Sequence, residues 1–189
     1  MNNANKTIFL IAGANGSGKT TLAKELLKNE EGLVFLNSDE IALEIKDSIG
    51  INAGKVLLKR FDNLLSENKS IVIESTISGK HHFNIIEKAR KANYQIKMIY
   101  VYLDIIELNI ARIQNRVALG GHDVPLNDIV RRYKRSLINF WKTIEEVDFW
   151  RLYCNTDVMF SLIACGNKEL NIIDESKFNI FKRICYDDN

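Results

Sequence analysis

The 189-residue sequence has one proline, three histidines and three cysteines. Cys154, Cys165 and Cys185 are odd in number and far apart, with no Cys-x-x-Cys pair. That spacing excludes a disulfide frame or a zinc site as the basis of the fold and reads as reduced thiols. His81, His82 and His122 are too few for a histidine-rich metal centre. No apolar run approaches the roughly 18 residues needed to cross a bilayer. Residues 1–6 are polar, and the apolar stretch after them runs straight into glycines rather than into a cleavage site. A cytoplasmic protein with no membrane partner is expected. An excess of charge of one sign is also missing. Lysine and arginine number 26 against 24 acidic residues, a net charge of +2, which excludes gripping nucleic acid by bulk charge.

What is present is ordinary globular material: 46% hydrophobic and 26% charged residues, in a length that suits one domain spanning 1–189. Short apolar runs alternate with helical stretches. Strands are expected over 8–12, 33–36, 70–73, 95–103, 150–154 and 159–164, and helices over 19–29, 55–68, 82–91 and 127–144. Asp104, with Glu107 three residues on, has the pattern of a capping box opening a further helix with Ile106, Ile110, Ile113 and Val117 on its apolar stripe. The tail beyond carries no clear signal. Near-continuous apolar strands between helices predict an α/β domain whose mainly parallel sheet is covered on both faces.

The most specific feature is Gly13-Ala14-Asn15-Gly16-Ser17-Gly18-Lys19-Thr20, followed by Thr21. It matches G-x-x-x-x-G-K-[ST], which arises by chance in on the order of one in a hundred chains of this length. It also follows the first apolar run and opens a helix, as a phosphate loop must. Glycines let successive backbone N–H groups surround phosphate oxygens while the helix N-terminus adds partial positive charge. Lys19 would reach the β- and γ-phosphates and the Thr20 hydroxyl would meet Mg²⁺. The sequence therefore binds a nucleotide. Asn167-Lys168-Glu169-Leu170 lacks the aspartate of a guanine-binding N-K-x-D motif. Residues 118–122 share only a glycine pair with the signature of the transporter-type ATPases. Small-molecule kinases remain.

Ligands of open parallel sheets lie beyond the carboxyl ends of the strands. Asp39 follows the second expected strand and Glu74 ends the third. Asp39 is the candidate general base that orients an acceptor hydroxyl and takes its proton, although an aspartate there also suits the cap of a helix starting near Ile41. Glu74 and Thr76 suit either the acceptor or the magnesium water shell, or simple polar lining. Arg112 and Arg116 lie one turn apart with no acidic residue three or four positions away, an arrangement that suggests an anion arriving on binding. In the basic group after Pro125, Asp128 can pair with Arg131 or Arg132, so Arg132 is a weaker candidate. The glycines at 120 and 121 would let such a lid move. His122 suits a ligand contact or a loop hydrogen bond, and His81 and His82 read as an exposed helix start. Tyr133, Phe140 and Trp141 read as core rather than as a nucleic-acid platform.

Together, residues 12–21, Asn37-Ser-Asp-Glu-Ile-Ala42, Glu74-Ser-Thr76, and Gly120-Gly-His-Asp-Val-Pro125 followed by Arg131-Arg132-Tyr133 resemble the zeta-toxin-like kinases. The resemblance implies a three-layer P-loop kinase fold with a helical lid. It also implies ATP with Mg²⁺, and γ-phosphoryl transfer to a hydroxyl of UDP-N-acetylglucosamine or a related nucleotide sugar. Carried over by motif, it implies phosphate and metal binding by Lys19 and Thr20, Asp39 as base, Glu74 and Thr76 at the acceptor, and lid arginines at or near Arg116 and Arg132. Any antitoxin would be a separate chain. The alternatives are a kinase for a nucleoside, an antibiotic or a nucleic-acid 5′ end, and a non-catalytic ATP-binding switch.

Overall fold

The structure is a computed structural model describing residues 6–47, 51–121, 123–157, 159–167 and 169–186. The element order begins β1 (Thr7–Ala12), α1 (Lys19–Asn29), β2 (Val34–Leu36), α2 (Ser38–Glu44), α3 (Ile51–Ser66), β3 (Ile71–Ser75), α4 (His81–Lys91) and β4 (Gln95–Tyr102). It continues with α5 (Ile106–Ala118), α6 (Leu126–Ile144), β5 (Phe149–Cys154), β6 (Ser161–Gly166), β7 (Leu170–Ile172) and α7 (Glu175–Tyr186). The strands form one sheet in the order β2-β3-β1-β4-β5-β6-β7. The first five strands of that order are mutually parallel, and the β5–β6 and β6–β7 pairings at the far edge are antiparallel.

Every residue of β1 is buried, as a central parallel strand requires. Its alternate side chains supply both layers. Phe9 and Ile11 pack with Ala23, Leu22 and Leu26 of α1. Ile8, Leu10 and Ala12 join the main core, where α3, α4, α6 and α7 cover the other face. The α1 face is left open over β5, where Phe149 and Arg151 are exposed. On the main-core side Phe140 is fully buried, with its ring 4.9 Å from Tyr100, 5.0 Å from Phe181 and 5.6 Å from Trp150. Each such burial contributes about 1.5–3 kcal/mol. Tyr133 is buried too and donates to the Leu103 carbonyl at 2.8 Å.

The structure departs from expectation at helix starts. The expected capping box of Asp104 and Glu107 does not form: α5 begins at Ile106 without a side-chain cap. Asp104 is instead drawn across to Thr156, whose hydroxyl accepts from the Asp104 N–H and donates to its carboxylate. Helix α3 starts four residues before the expected Lys55, because the Asp47 carboxylate accepts from the N–H groups of Asn52 and Ala53. The late strand runs 161–166 rather than 159–164. The tail forms β7 and α7, whose Phe178, Phe181 and Cys185 are buried. The three cysteines are free thiols, and no helix among the described residues is long and apolar enough to cross a membrane.

Candidate active site

Beyond the carboxyl ends of β1 and β3 opens a cavity of about 1140 Å³. Its walls bring together Asn15, Gly16, Gly18, Lys19, Thr20 and Thr21 with Asp39, Glu74 and Thr76. Arg112, Arg116 and Arg132 face the same space. Gly13, Ala14 and Ser17, the remaining loop residues, are buried.

The phosphate loop is held from outside by two residues that sequence reading missed. Asn109 of α5 donates its side-chain amide to the Asn15 carbonyl at 2.7 Å, and Asn155 after β5 donates to the Ser17 carbonyl at 2.8 Å. Both bonds are buried, and both turn loop carbonyls outward so that loop N–H groups are left for an anion. The approach is close enough to require glycine. A Cβ on Gly16 would stand 2.6 Å from the Asn109 carbonyl oxygen, and one on Gly18 2.4 Å from Asn155 Nδ2. Asparagine has no sequence signature for this role, since its partners lie 94 and 138 residues away. Lys19 Nζ donates to the Ala14 carbonyl at 2.8 Å. Burial pulls its ammonium down to about 8, opposed by the negative charges of Glu74 and Asp39 and assisted by the positive charge of Arg116.

Asp39 does not cap its helix. The cap is Asn37, whose side chain accepts from the N–H groups of Asp39 and Glu40 at 2.7 and 3.4 Å. Asp39 thus sits exposed in the first turn of α2 with its carboxylate unpaired among the described residues. Glu74 is tied to the phosphate loop, its Oε2 accepting from the Thr20 hydroxyl at 3.1 Å. Its Oε1 is buried with no hydrogen-bond partner. Burial raises its pKa, while Lys19 and the Thr20 bond oppose the rise. A hydroxyl beside a half-satisfied carboxylate is a hard-oxygen donor set, which fits Mg²⁺ completed by phosphate oxygens and water.

The three arginines differ in their ties. Arg112 donates to the Asn155 carbonyl at 2.8 Å, linking it to the loop clamp. Arg132 meets Asp128 at 3.3 Å, and Asp128 also holds Arg131 at 2.6 Å. Arg116 stands within electrostatic reach of Lys19 at the end of α5. There Gly120, at φ +83°, closes a Schellman turn: the Gly121 N–H returns to the Arg116 carbonyl and the Gly120 N–H to that of Val117. Helix α6 packs on α5 through Ile110, Ile113, Val124 and Ile129. His122, in the segment between the two helices, is outside the described residues.

His81 is exposed and lines the cavity, but His82 is not part of an exposed helix start. It is 1% exposed and its Nε2 lies 3.1 Å from Thr143 Oγ1. Burial lowers its pKa to about 4. The folded state therefore favours neutral imidazole, and this stabilisation is complete above about pH 6.5 and lost as pH falls toward 4. Thermal midpoints measured between pH 7 and 4.5 should fall more steeply for the wild type than for His82→Gln; parallel curves would contradict this reading.

The sequence pattern of the Zeta toxin family matches residues 1–157. An uncharacterized protein of Haemophilus influenzae is 30% identical over 133 residues, covering 68% of this chain and 93% of its own. A cytidylate kinase of Ignicoccus hospitalis is 25% identical over 170 residues, covering 81% and 91%. Among solved structures, a chain of the AvrRxo1-ORF1:AvrRxo1-ORF2 complex with ATP superposes with a TM-score of 0.74 at 16% identity, over 97% of this chain. This chain spans only 64% of that one. A chain of the PezAT toxin–antitoxin system of Streptococcus pneumoniae gives a TM-score of 0.69 at 15% identity, covering 97% and 80%. The fold is that of a P-loop kinase, and by the match over most of its length the chain belongs to the Zeta toxin family.

Proposed function

We propose that the protein is an ATP-dependent kinase that moves the γ-phosphoryl group onto a hydroxyl of a small-molecule acceptor, with a nucleotide sugar such as UDP-N-acetylglucosamine the first candidate. The observation that carries this reading is the single cavity in which a phosphate loop, an unpaired carboxylate and three arginines meet. The family, the cytidylate kinase relative and the neighbour solved with ATP support it. The likeness to a chain of a toxin–antitoxin system supports a separate antitoxin protein as partner.

In this reading the loop N–H groups and Lys19 hold the β- and γ-phosphates. Asp39 orients the acceptor hydroxyl and takes its proton as the acceptor oxygen bonds to the γ-phosphorus. The bond from that phosphorus to the β,γ-bridging oxygen breaks, and ADP leaves. Arg116, with Arg112 and Arg132 beside it, neutralises charge on the transferring group. Thr20 and Glu74 would hold Mg²⁺, which when bound supplies further charge neutralisation on the phosphates. Glu74 and Thr76 line the acceptor side.

Lys19 gives a pH signature. Binding a triphosphate favours the ammonium form, so above about pH 8 the site must take up a proton to bind. Affinity for a fluorescent ATP analogue should change little below about pH 7.5, be about twofold weaker by pH 8 and then weaken toward about tenfold per pH unit. Lys19→Arg should remove the slope, and a slope retained in that variant would count against Lys19 as its source.

The test of the acceptor uses purified protein, Mg²⁺ and γ-labelled ATP with UDP-N-acetylglucosamine, beside a pool of cell metabolites. Label on the nucleotide sugar, lost in Lys19→Ala, is the expected result. Label on another metabolite alone would discard the sugar and keep the kinase.

A further inference from the structure

The connection between β3 and α4 holds a residue in an unusual conformation. Ile77 has a φ of +44°, in the left-handed region where a β-branched side chain is strained. Its side chain is 1% exposed, and it stands three residues after Glu74 in the cavity wall. A conformation of this kind persists only where its surroundings hold it. Two bonds do so. The Ile77 N–H donates to Ser75 Oγ at 3.0 Å, and the Ile77 carbonyl accepts from Asn139 Nδ2 at 2.6 Å.

Asn139 belongs to α6, seven residues and thus two turns after Arg132, so both lie on one side of that helix. One turn further on, Thr143 Oγ1 donates to the Asn139 carbonyl at 2.6 Å and meets His82 at 3.1 Å. Helix α6 is itself pinned to the sheet by Tyr133 on the Leu103 carbonyl and by the 2.9 Å contact of Ser136 with Tyr100. The turn that follows Glu74 is therefore suspended from α6, the helix that also carries Arg132. Thr76, between Glu74 and Ile77, faces the cavity and bonds Ser78 at 2.8 Å.

We propose that Asn139 is a positioning residue for the phosphate acceptor, an inference that rests on the kinase reading above. Its amide holds Ile77 in the left-handed turn and so sets Thr76 against the Arg132 side of the site. Without that donor the turn relaxes and Thr76 leaves the acceptor wall. The nucleotide half, built on β1 and α1, is untouched.

The test compares wild type with Asn139→Asp, which keeps the shape and loses the donor, and with Asn139→Ala in case the aspartate impairs folding. Three quantities are read: the affinity for a fluorescent ATP analogue, kcat and KM for UDP-N-acetylglucosamine or the acceptor found in the metabolite pool, and amide exchange of peptides covering residues 74–80. The expected result is an acceptor kcat/KM lower by about tenfold to a hundredfold, carried mainly by KM, with ATP affinity within about twofold. Exchange in 75–80 should be at least about tenfold faster while β1 and α1 keep their protection. Wild-type exchange in either folded variant overturns the hold on Ile77, and faster exchange with an unchanged acceptor KM overturns the positioning role. If wild type transfers its phosphoryl group to no acceptor, the kinase reading fails and takes the acceptor role of Asn139 with it; faster exchange would then still establish the hold.

Discussion

Replacing Asp39 by asparagine is expected to lower kcat by about 10²–10⁴-fold, the range of a positioned general base, with ATP affinity within about twofold. The expectation follows from what Asp39 does not do. Its helix is capped by Asn37, and its carboxylate is unpaired among the described residues, so the fold has little need of it. As an acid in the first turn it contributes about 0.3–1 kcal/mol through the helix dipole, and the thermal midpoint should move by only a few degrees. A wild-type kcat in Asp39→Asn would remove Asp39 from the chemistry and leave it as that dipole partner alone.

The second large effect is expected at Arg116. An arginine that neutralises charge on a transferring phosphoryl group contributes about 10³–10⁵ in rate, and Arg116→Ala should lose up to that much in kcat. Arg112 and Arg132 should cost less, because it is the Arg116 charge that acts on Lys19 and lowers its proton affinity. This gives a readout independent of turnover. Removing the cation should raise the Lys19 pKa, so the pH at which ATP binding begins to weaken moves upward in Arg116→Ala and stays near 8 in Arg132→Ala. Equal losses of kcat in all three variants, with no movement of that pH, would contradict the ranking.

The sequence was most legible where one local signal sufficed. The contiguous apolar run of β1, the glycines and the Lys-Thr pair suffice to locate the loop and α1 in the sequence, and the expected bounds of α1, 19–29, are those of the structure. It was less legible where a cap comes from a distant residue. Asp39 had the identity of a cap, but Asn37 two residues earlier holds the position and lets α2 begin at Ser38. Asp104 had a capping-box pattern, but Thr156 recruits it from the end of the neighbouring strand β5. The apolar spacing of Phe178, Phe181 and Cys185 was present in the tail, yet its value depends on the pocket that Tyr100, Phe140 and Trp150 leave for it. Asn109, Asn155 and Asn139 were invisible for a related reason. Each acts through one amide on a carbonyl far away in sequence, and nothing around an isolated asparagine records that.

The most direct measurement uses ATP carrying ¹⁸O on its γ-phosphoryl group, incubated with the protein, Mg²⁺ and a metabolite extract, with every labelled product followed by mass spectrometry. Phosphoryl transfer to a hydroxyl predicts the label in an organic phosphate monoester whose bridging oxygen is unlabelled, and its disappearance with Lys19→Ala and Asp39→Asn. Label found only in inorganic phosphate, or retained in ATP that is nonetheless bound, would contradict it and leave a nucleotide-binding switch.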